Sequence, residues 1–166
     1  MGCSHDCSSC SSDCKSKNSE SLRESLNQYS SVKKVIAVVS GKGGVGKSLV
    51  TSTLAVTFNR LGKKTAVLDA DITGPSIPKA FGLKGQVGGT EQGIMPLTSA
   101  TGIDVMSINL LMENETDPVI WRGPMVSSAL RDLLQQTNWH DLDYLVIDMP
   151  PGTGDIQLTL SQQVPV

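Results

Sequence analysis

The chain opens with a long polar stretch, broken by five consecutive apolar positions from Val35 to Val39. Residues 33–40 therefore read as a buried strand, because a half-exposed strand would alternate. Apolar positions then shift to helical spacing. Leu49, Leu54, Phe58 and Leu61 predict a helix over 47–61 with those side chains inward, ended by Gly62. Thr65 to Asp69 predict a second strand. Residues 71–93, rich in glycine and proline, read as loop with a helical turn near Ile77 to Phe81. Ile103 to Ile108 suggest another strand. Pro124 can open a helix through about Gln136 that buries Met125, Ala129, Leu130 and Leu133, and Tyr144 to Asp148 return to the sheet. This alternation predicts an α/β fold with a doubly wound, mostly parallel sheet and ligands at the carboxyl ends of its strands. Ahead of it, residues 1–14 form a cysteine-rich tail and 15–31 a polar linker, where Leu22, Leu26 and Tyr29 are spaced for one short docking helix. The folded domain is expected over 32–166.

The first strand runs straight into Gly41-Lys42-Gly43-Gly44-Val45-Gly46-Lys47-Ser48. A glycine, four residues, then Gly-Lys-Ser between a strand and a helix is the phosphate-binding loop in the context it requires. Its glycines let the backbone curl so that successive N–H groups face one anion, and the helix beginning near Lys47 adds its positive end. Lys47 can reach the β- and γ-phosphates of a nucleoside triphosphate, and the Ser48 hydroxyl can ligate Mg²⁺. Lys42 has no such task within one subunit.

Two strand ends carry acids, Asp69-Ala70-Asp71 and Val146-Ile147-Asp148. An aspartate closing an apolar strand suits a Walker B role, which makes Asp148 the candidate to hold Mg²⁺ directly or through water. Asp71 lies where it can orient an attacking water. Gly152, in the stiff turn Met149 to Asp155, can bring a backbone N–H to the γ-phosphate and couple hydrolysis to movement of that turn. Aspartates also cap helices and shape turns, so each acid alone has a plainer reading.

All four cysteines, Cys3, Cys7, Cys10 and Cys14, fall in the first fourteen residues, among serines and with almost nothing apolar to bury. Order in such a segment must come from a ligand. An iron–sulfur cluster, a tetrahedral zinc, and disulfides or idle thiols are all open on spacing alone. The rest of the composition, 39% apolar and 18% charged with net charge −2, suits one soluble domain and includes no basic patch for nucleic acid. No apolar run reaches transmembrane length and no signal-peptide core opens the chain, so a cytoplasmic protein is expected. A reducing compartment argues against disulfides.

Lys42 makes the loop resemble the deviant Walker A loop of the MinD, ParA and nitrogenase iron protein class. There the extra lysine reaches across a homodimer to the partner's nucleotide. Three further segments narrow the resemblance: Asp69 to Pro78, Trp121-Arg122-Gly123-Pro124-Met125, and Asp143 to Asp155. In this order they are similar to the Mrp/ApbC family of dimeric ATPases that carry iron–sulfur clusters to apoproteins, some with an N-terminal cysteine tail. The resemblance covers residues 33–166. It implies ATP binding through Gly41 to Ser48, Lys42 acting across the dimer, and Asp71 and Asp148 serving hydrolysis and Mg²⁺. It also implies a cluster on the tail cysteines, expected as 4Fe–4S, and apo iron–sulfur proteins as recipients. Neither nucleic acid nor membrane is expected among the partners. Trp121 to Met125 read either as a loop entering the Pro124 helix or as a dimer contact. Family members continue past the equivalent of Val166 into further strands, an adenine-contacting segment and a Cys-x-x-Cys pair, so these 166 residues are expected to be a fragment or truncated product, or to keep the tail as the one cluster site. The other function in view is a nucleotide-switched positioning ATPase of the MinD/ParA kind. A zinc-stabilised regulatory ATPase is a third.

Overall fold

The computed structural model describes residues 26–71, 76–111 and 123–152, the last segment by backbone alone as far as residue 127. The tail cysteines, Leu22, residues 72–75, Trp121, Arg122, the Met125 side chain and residues 153–166 lie outside the described residues. Strands β1 (Ser31–Val38), β2 (Thr65–Asp69), β6 (Asp104–Ser107) and β7 (Asp141–Asp148) run parallel, and β5 (Leu97–Thr98) closes the sheet antiparallel to β6. The order is β1-β7-β2-β6-β5, which seats the last described strand between the first two. Short strands β3 (Gly89–Thr90) and β4 (Gly93–Ile94) pair separately. Helices α1 (Lys47–Arg60), α2 (Ile77–Ala80) and α3 (Gly123–Gln136) supply the crossovers.

Successive residues of a strand face opposite sides, and β2 sorts its contacts accordingly. Ala66 and Leu68 join one core cluster with Leu130, Leu133 and Leu134 of α3, Leu145 and Ile147 of β7, and Trp139. Val67 joins the other with Ala55 of α1, Ile77 of α2, and Ile103 and Val105. The sheet is therefore covered on both sides, as a doubly wound fold requires. Every residue of β2 is buried. The Trp139 indole is fully buried, with its Nε1 donating to Leu134 O at 3.0 Å.

Several expectations need correction. α1 starts and stops within a residue of the expected bounds, yet it turns Lys47, Thr51 and Ala55 inward. Leu49 and Leu61 are about 70% exposed, at 71% and 69%. Small Thr51 and Ala55 let the helix axis approach the sheet, and that stripe carries Lys47 to the strand ends. β1 is only half-buried, with Val39 exposed, because β7 is its one strand partner among the described residues. The linker forms no helix over 26–30. Asn27 to Ser30 make a turn closed by Ser30 N–H to Asn27 O at 2.8 Å, Leu26 packs on the core, and Tyr29 is half-exposed. That turn is fastened at the amino ends of the strands, where Trp139 N–H donates to Ser30 Oγ at 2.9 Å. Of the apolar positions expected inward on α3, Leu130 and Leu133 are buried and Ala129 is partly so. Among the described residues, no helix is long and apolar enough to cross a membrane.

Candidate functional site

β1 delivers the chain to the loop, and the loop turns directly into α1. Gly44 and Gly46 sit at φ 74° and 91°, the left-handed region that side-chain-bearing residues avoid. A Cβ on either would meet nothing within 4 Å, so backbone conformation and not crowding is what calls for glycine here. Gly46 caps α1 without any side-chain hydrogen bond, and no acidic residue stands in the first turn. The amino end of a 14-residue helix therefore keeps its N–H groups and positive dipole for an external anion. Gly41, Lys42, Gly43, Gly44, Val45 and Gly46 are all exposed, which leaves the loop open to a ligand.

Beneath the loop the acids converge. Asp148 is fully buried at the end of β7. Its Oδ2 accepts the Ser48 hydroxyl at 2.6 Å and its Oδ1 the Thr51 hydroxyl at 2.9 Å. Lys47 Nζ stands 2.9 Å from Asp148 Oδ1 and 3.6 Å from Asp71 Oδ2, with 6% of its side chain exposed. The contact is an ion pair by distance, without hydrogen-bond geometry at Nζ, so the ammonium retains donors for another acceptor. Asp69 lies in register with Asp148 on the adjoining strand. Burial pushes the Asp69 carboxyl up to about 7, reinforced by the neighbouring Asp148 and Asp71 charges and opposed by N–H bonds from Asp71 and Ile77.

The structure brings Lys47, Ser48, Asp71 and Asp148 together and leaves Lys42 on the surface. Gly152, at φ 122°, donates its N–H to Ser40 O at 3.0 Å. That bond ties the Pro150–Gly152 turn to the start of the loop, and the expected contact of this N–H with a γ-phosphate requires it to break. Two residues escaped the sequence reading. Thr51 is three positions after Ser48 on the same helix face, a spacing that would have flagged it, and Asp69 is the first acid of the pair in which only Asp71 was given a task.

The donor set fits a nucleotide and its cation. An uncapped helix end and a buried ammonium suit phosphate, and the Ser48 and Asp148 oxygens suit a hard divalent ion. Among the described residues no group of three or more His, Cys, Asp or Glu side chains is placed to hold a metal, so a cation here would complete its shell with phosphate and water oxygens.

A family model described as ParA, NUBPL iron-transfer P-loop NTPase, matches residues 31–166. The chain belongs to this family. A similar relative, the iron-sulfur cluster carrier protein of Methanococcus maripaludis, is 46% identical over 98% of this chain and 58% of its own length. The protein of the same name from Haemophilus influenzae is 55% identical over 87% of this chain and 40% of its own. The chain spans about half the length of the curated relatives it matches. Among solved structures, the Archaeoglobus fulgidus nucleotide-binding protein in complex with ADP superposes with TM-score 0.68 at 46% identity, covering 79% of this chain and 50% of that chain. The cell division ATPase MinD of Pyrococcus furiosus matches with TM-score 0.53 at 20% identity over 76% of this chain and 54% of its own, a likeness of fold alone.

Proposed function

We propose that this NTPase binds and hydrolyses ATP with Mg²⁺ as a homodimer and carries iron–sulfur clusters to apoproteins in the cytoplasm. The observation that carries the nucleotide part is the convergence of Lys47 Nζ, Ser48 Oγ and Thr51 Oγ1 on the buried Asp148 carboxylate, beneath an uncapped glycine loop. The cargo part is supported by the iron-transfer family and by relatives named as cluster carriers.

In this reading the N–H groups from Gly41 to Ser48 cradle the phosphates, and Lys47 turns from Asp148 towards the β- and γ-oxygens. Ser48 and Asp148 hold the Mg²⁺, which when bound neutralises developing phosphate charge. Asp71 orients the attacking water. Lys42, exposed on the loop, acts across the dimer at the partner's nucleotide. Loss of the γ-phosphate frees the Pro150–Gly152 turn to settle on Ser40, linking hydrolysis to the position of that turn. Cys3, Cys7, Cys10 and Cys14 bind a cluster on the tail, 4Fe–4S in type, ahead of the domain that begins near residue 32. Neither nucleic acid nor membrane takes part.

The test is delivery. The chain, purified without oxygen and loaded with iron and sulfide, is mixed with an apo-ferredoxin with and without Mg-ATP. The expected result is a brown protein that hydrolyses ATP and delivers its cluster at a nucleotide-dependent rate. A colourless protein that takes up only zinc, or one that holds iron but neither binds nor hydrolyses ATP, would overturn the reading.

A further inference from the structure

Asp69 is 1% exposed and has no task in the chemistry proposed above. Its two carboxylate oxygens divide between two backbone donors. Oδ1 accepts Asp71 N–H at 3.1 Å, and Oδ2 accepts Ile77 N–H at 3.3 Å. One buried side chain therefore grips both ends of the connection between β2 and α2. The gripped ends matter: the first is the backbone of Asp71, whose carboxylate lies 3.6 Å from Lys47 Nζ, and the second is the first residue of α2. Asp69 is itself fixed, because Ala70 N–H continues the β2–β7 pairing by donating to Asp148 O at 2.9 Å. Ser76, which precedes α2, makes no side-chain cap, and the Asp69 oxygen satisfies the first free amide of that helix, Ile77 N–H.

We propose that Asp69 is a positioning residue for hydrolysis, holding the Asp71 backbone so that the Asp71 carboxylate stays aimed at the reacting phosphate. This rests on Asp71 orienting the attacking water. The chemistry of the side chain makes the idea specific. On the alkaline side of its raised pKa, where the comparison is made, the Asp69 carboxylate offers an acceptor to each N–H, whereas an asparagine of the same shape must turn its NH₂ towards one of them, opposing donor to donor. Asp69→Asn thus releases one end of the connection without opening a cavity, and Asp69→Ala releases both.

ATP turnover and ADP affinity are measured on the full chain and on Asp69→Asn, Asp71→Asn and the double variant. The expected result is kcat lowered by about tenfold to a hundredfold in Asp69→Asn, the scale of a misplaced reacting group. KM for ATP and ADP affinity should stay within about twofold, since the loop, Lys47 and Ser48 are untouched. The double variant should be no slower than Asp71→Asn alone, because a positioning residue has nothing left to position. Losses that multiply in the double variant, or a wild-type kcat in Asp69→Asn while Asp71→Asn is impaired, would overturn the positioning role and leave that of Asp71 standing. A wild-type kcat in Asp71→Asn would overturn both. Should Asp69→Asn not fold, amide exchange in the unaltered protein decides. Asp71 and Ile77 N–H groups protected alike support the grip, and an Asp71 N–H exchanging like an open loop amide removes it.

Discussion

Thr51→Val is the sharpest probe of how the buried acid is held. Valine keeps the shape of threonine and removes the hydroxyl, so at a fully buried position it opens no cavity. What it removes is the 2.9 Å bond to Asp148 Oδ1, made to a charged and fully buried acceptor. The same hydroxyl lies 3.1 Å from Lys47 O, but it has one hydrogen, and the shorter contact to a charged oxygen takes it. A hydrogen bond to a charged group contributes about 1.5–3 kcal/mol. Asp148 keeps Ser48 and Lys47, so the lower half of that range is expected. With a urea slope of about 1–3 kcal/mol per molar, the unfolding midpoint should fall by roughly 1 M at unchanged slope. Fluorescence of the buried Trp139 can follow the transition. Thr51→Ser is the decisive comparison, because it keeps the hydroxyl and loses one methyl group, a cost of about 1 kcal/mol. The polar account requires valine to be the more damaging of the two and to weaken Mg-ATP binding as well. If serine destabilises more than valine, or if valine leaves both the midpoint and Mg-ATP affinity at wild-type values, Thr51 is only a packing residue and the reasoning fails.

Lys47→Ala should abolish Mg-ATP binding measurable by calorimetry, whereas Lys42→Ala should keep most of the binding and lose hydrolysis; wild-type affinity in the first, or wild-type turnover in the second, would contradict these roles. Anaerobic reconstitution should give absorbance near about 400 nm, where thiolate-bound clusters absorb, and replacing Cys7 and Cys10 with serine should remove it. Tight stoichiometric zinc without iron uptake would point to a structural metal instead. Asp143 is held below the usual carboxylate range by the Lys33 ammonium at 2.7 Å and by the Lys64 N–H at 3.0 Å. Its contribution to stability is therefore complete above the ordinary carboxylate pKa and lost as pH falls through the lowered value. Asp143→Asn should lower the melting temperature slightly at neutral pH, less so in high salt, with the difference vanishing in strong acid; a difference that persists in acid would refute the electrostatic origin.

Local pattern carried much of this fold and stopped where pairing became non-local. The loop, the bounds of α1, the extent of β2 and the Asp148 strand end all follow from short runs whose chemistry is self-contained. The half-exposure of β1 does not, because Val35 to Val39 read alike at an edge or in the centre, and only the insertion of β7 beside it decides. Leu49 and Leu61 misled for a related reason. Apolar residues stand on both sides of α1, and what selects the inward stripe is the fit of small Thr51 and Ala55 against β7 and β2. Strands β3, β4 and β5, two residues each, are too short for any alternation to register. Of the linker only residues 26–31 are described, and there Leu26 packs on the core while Tyr29 does not.

The candidate site was half readable for a reason visible in the register. Val38 pairs with Asp148, Asp148 with Asp69, and Asp69 with Ser107, so one row crosses four parallel strands just where they end. Residues in one row share a face, and here Asp69 and Asp148 fall on the face that Val67 and Val105 turn towards α1 and α2. The loop leaves β1 beside this row, and α1 returns across it with Lys47, Ser48 and Thr51 pointing down. The members of the row that end apolar runs are visible in the sequence but their alignment is not, and Thr51 and Asp69 acquire meaning only from that alignment. A slip of one residue between β2 and β7 would turn Asp69 to the α3 side and Leu68 towards the loop, burying a carboxylate among Leu130, Leu133 and Trp139. The apolar alternation of β2 thus does two things at once. It packs both faces of the sheet, and it fixes which carboxylates stand beneath the phosphate loop.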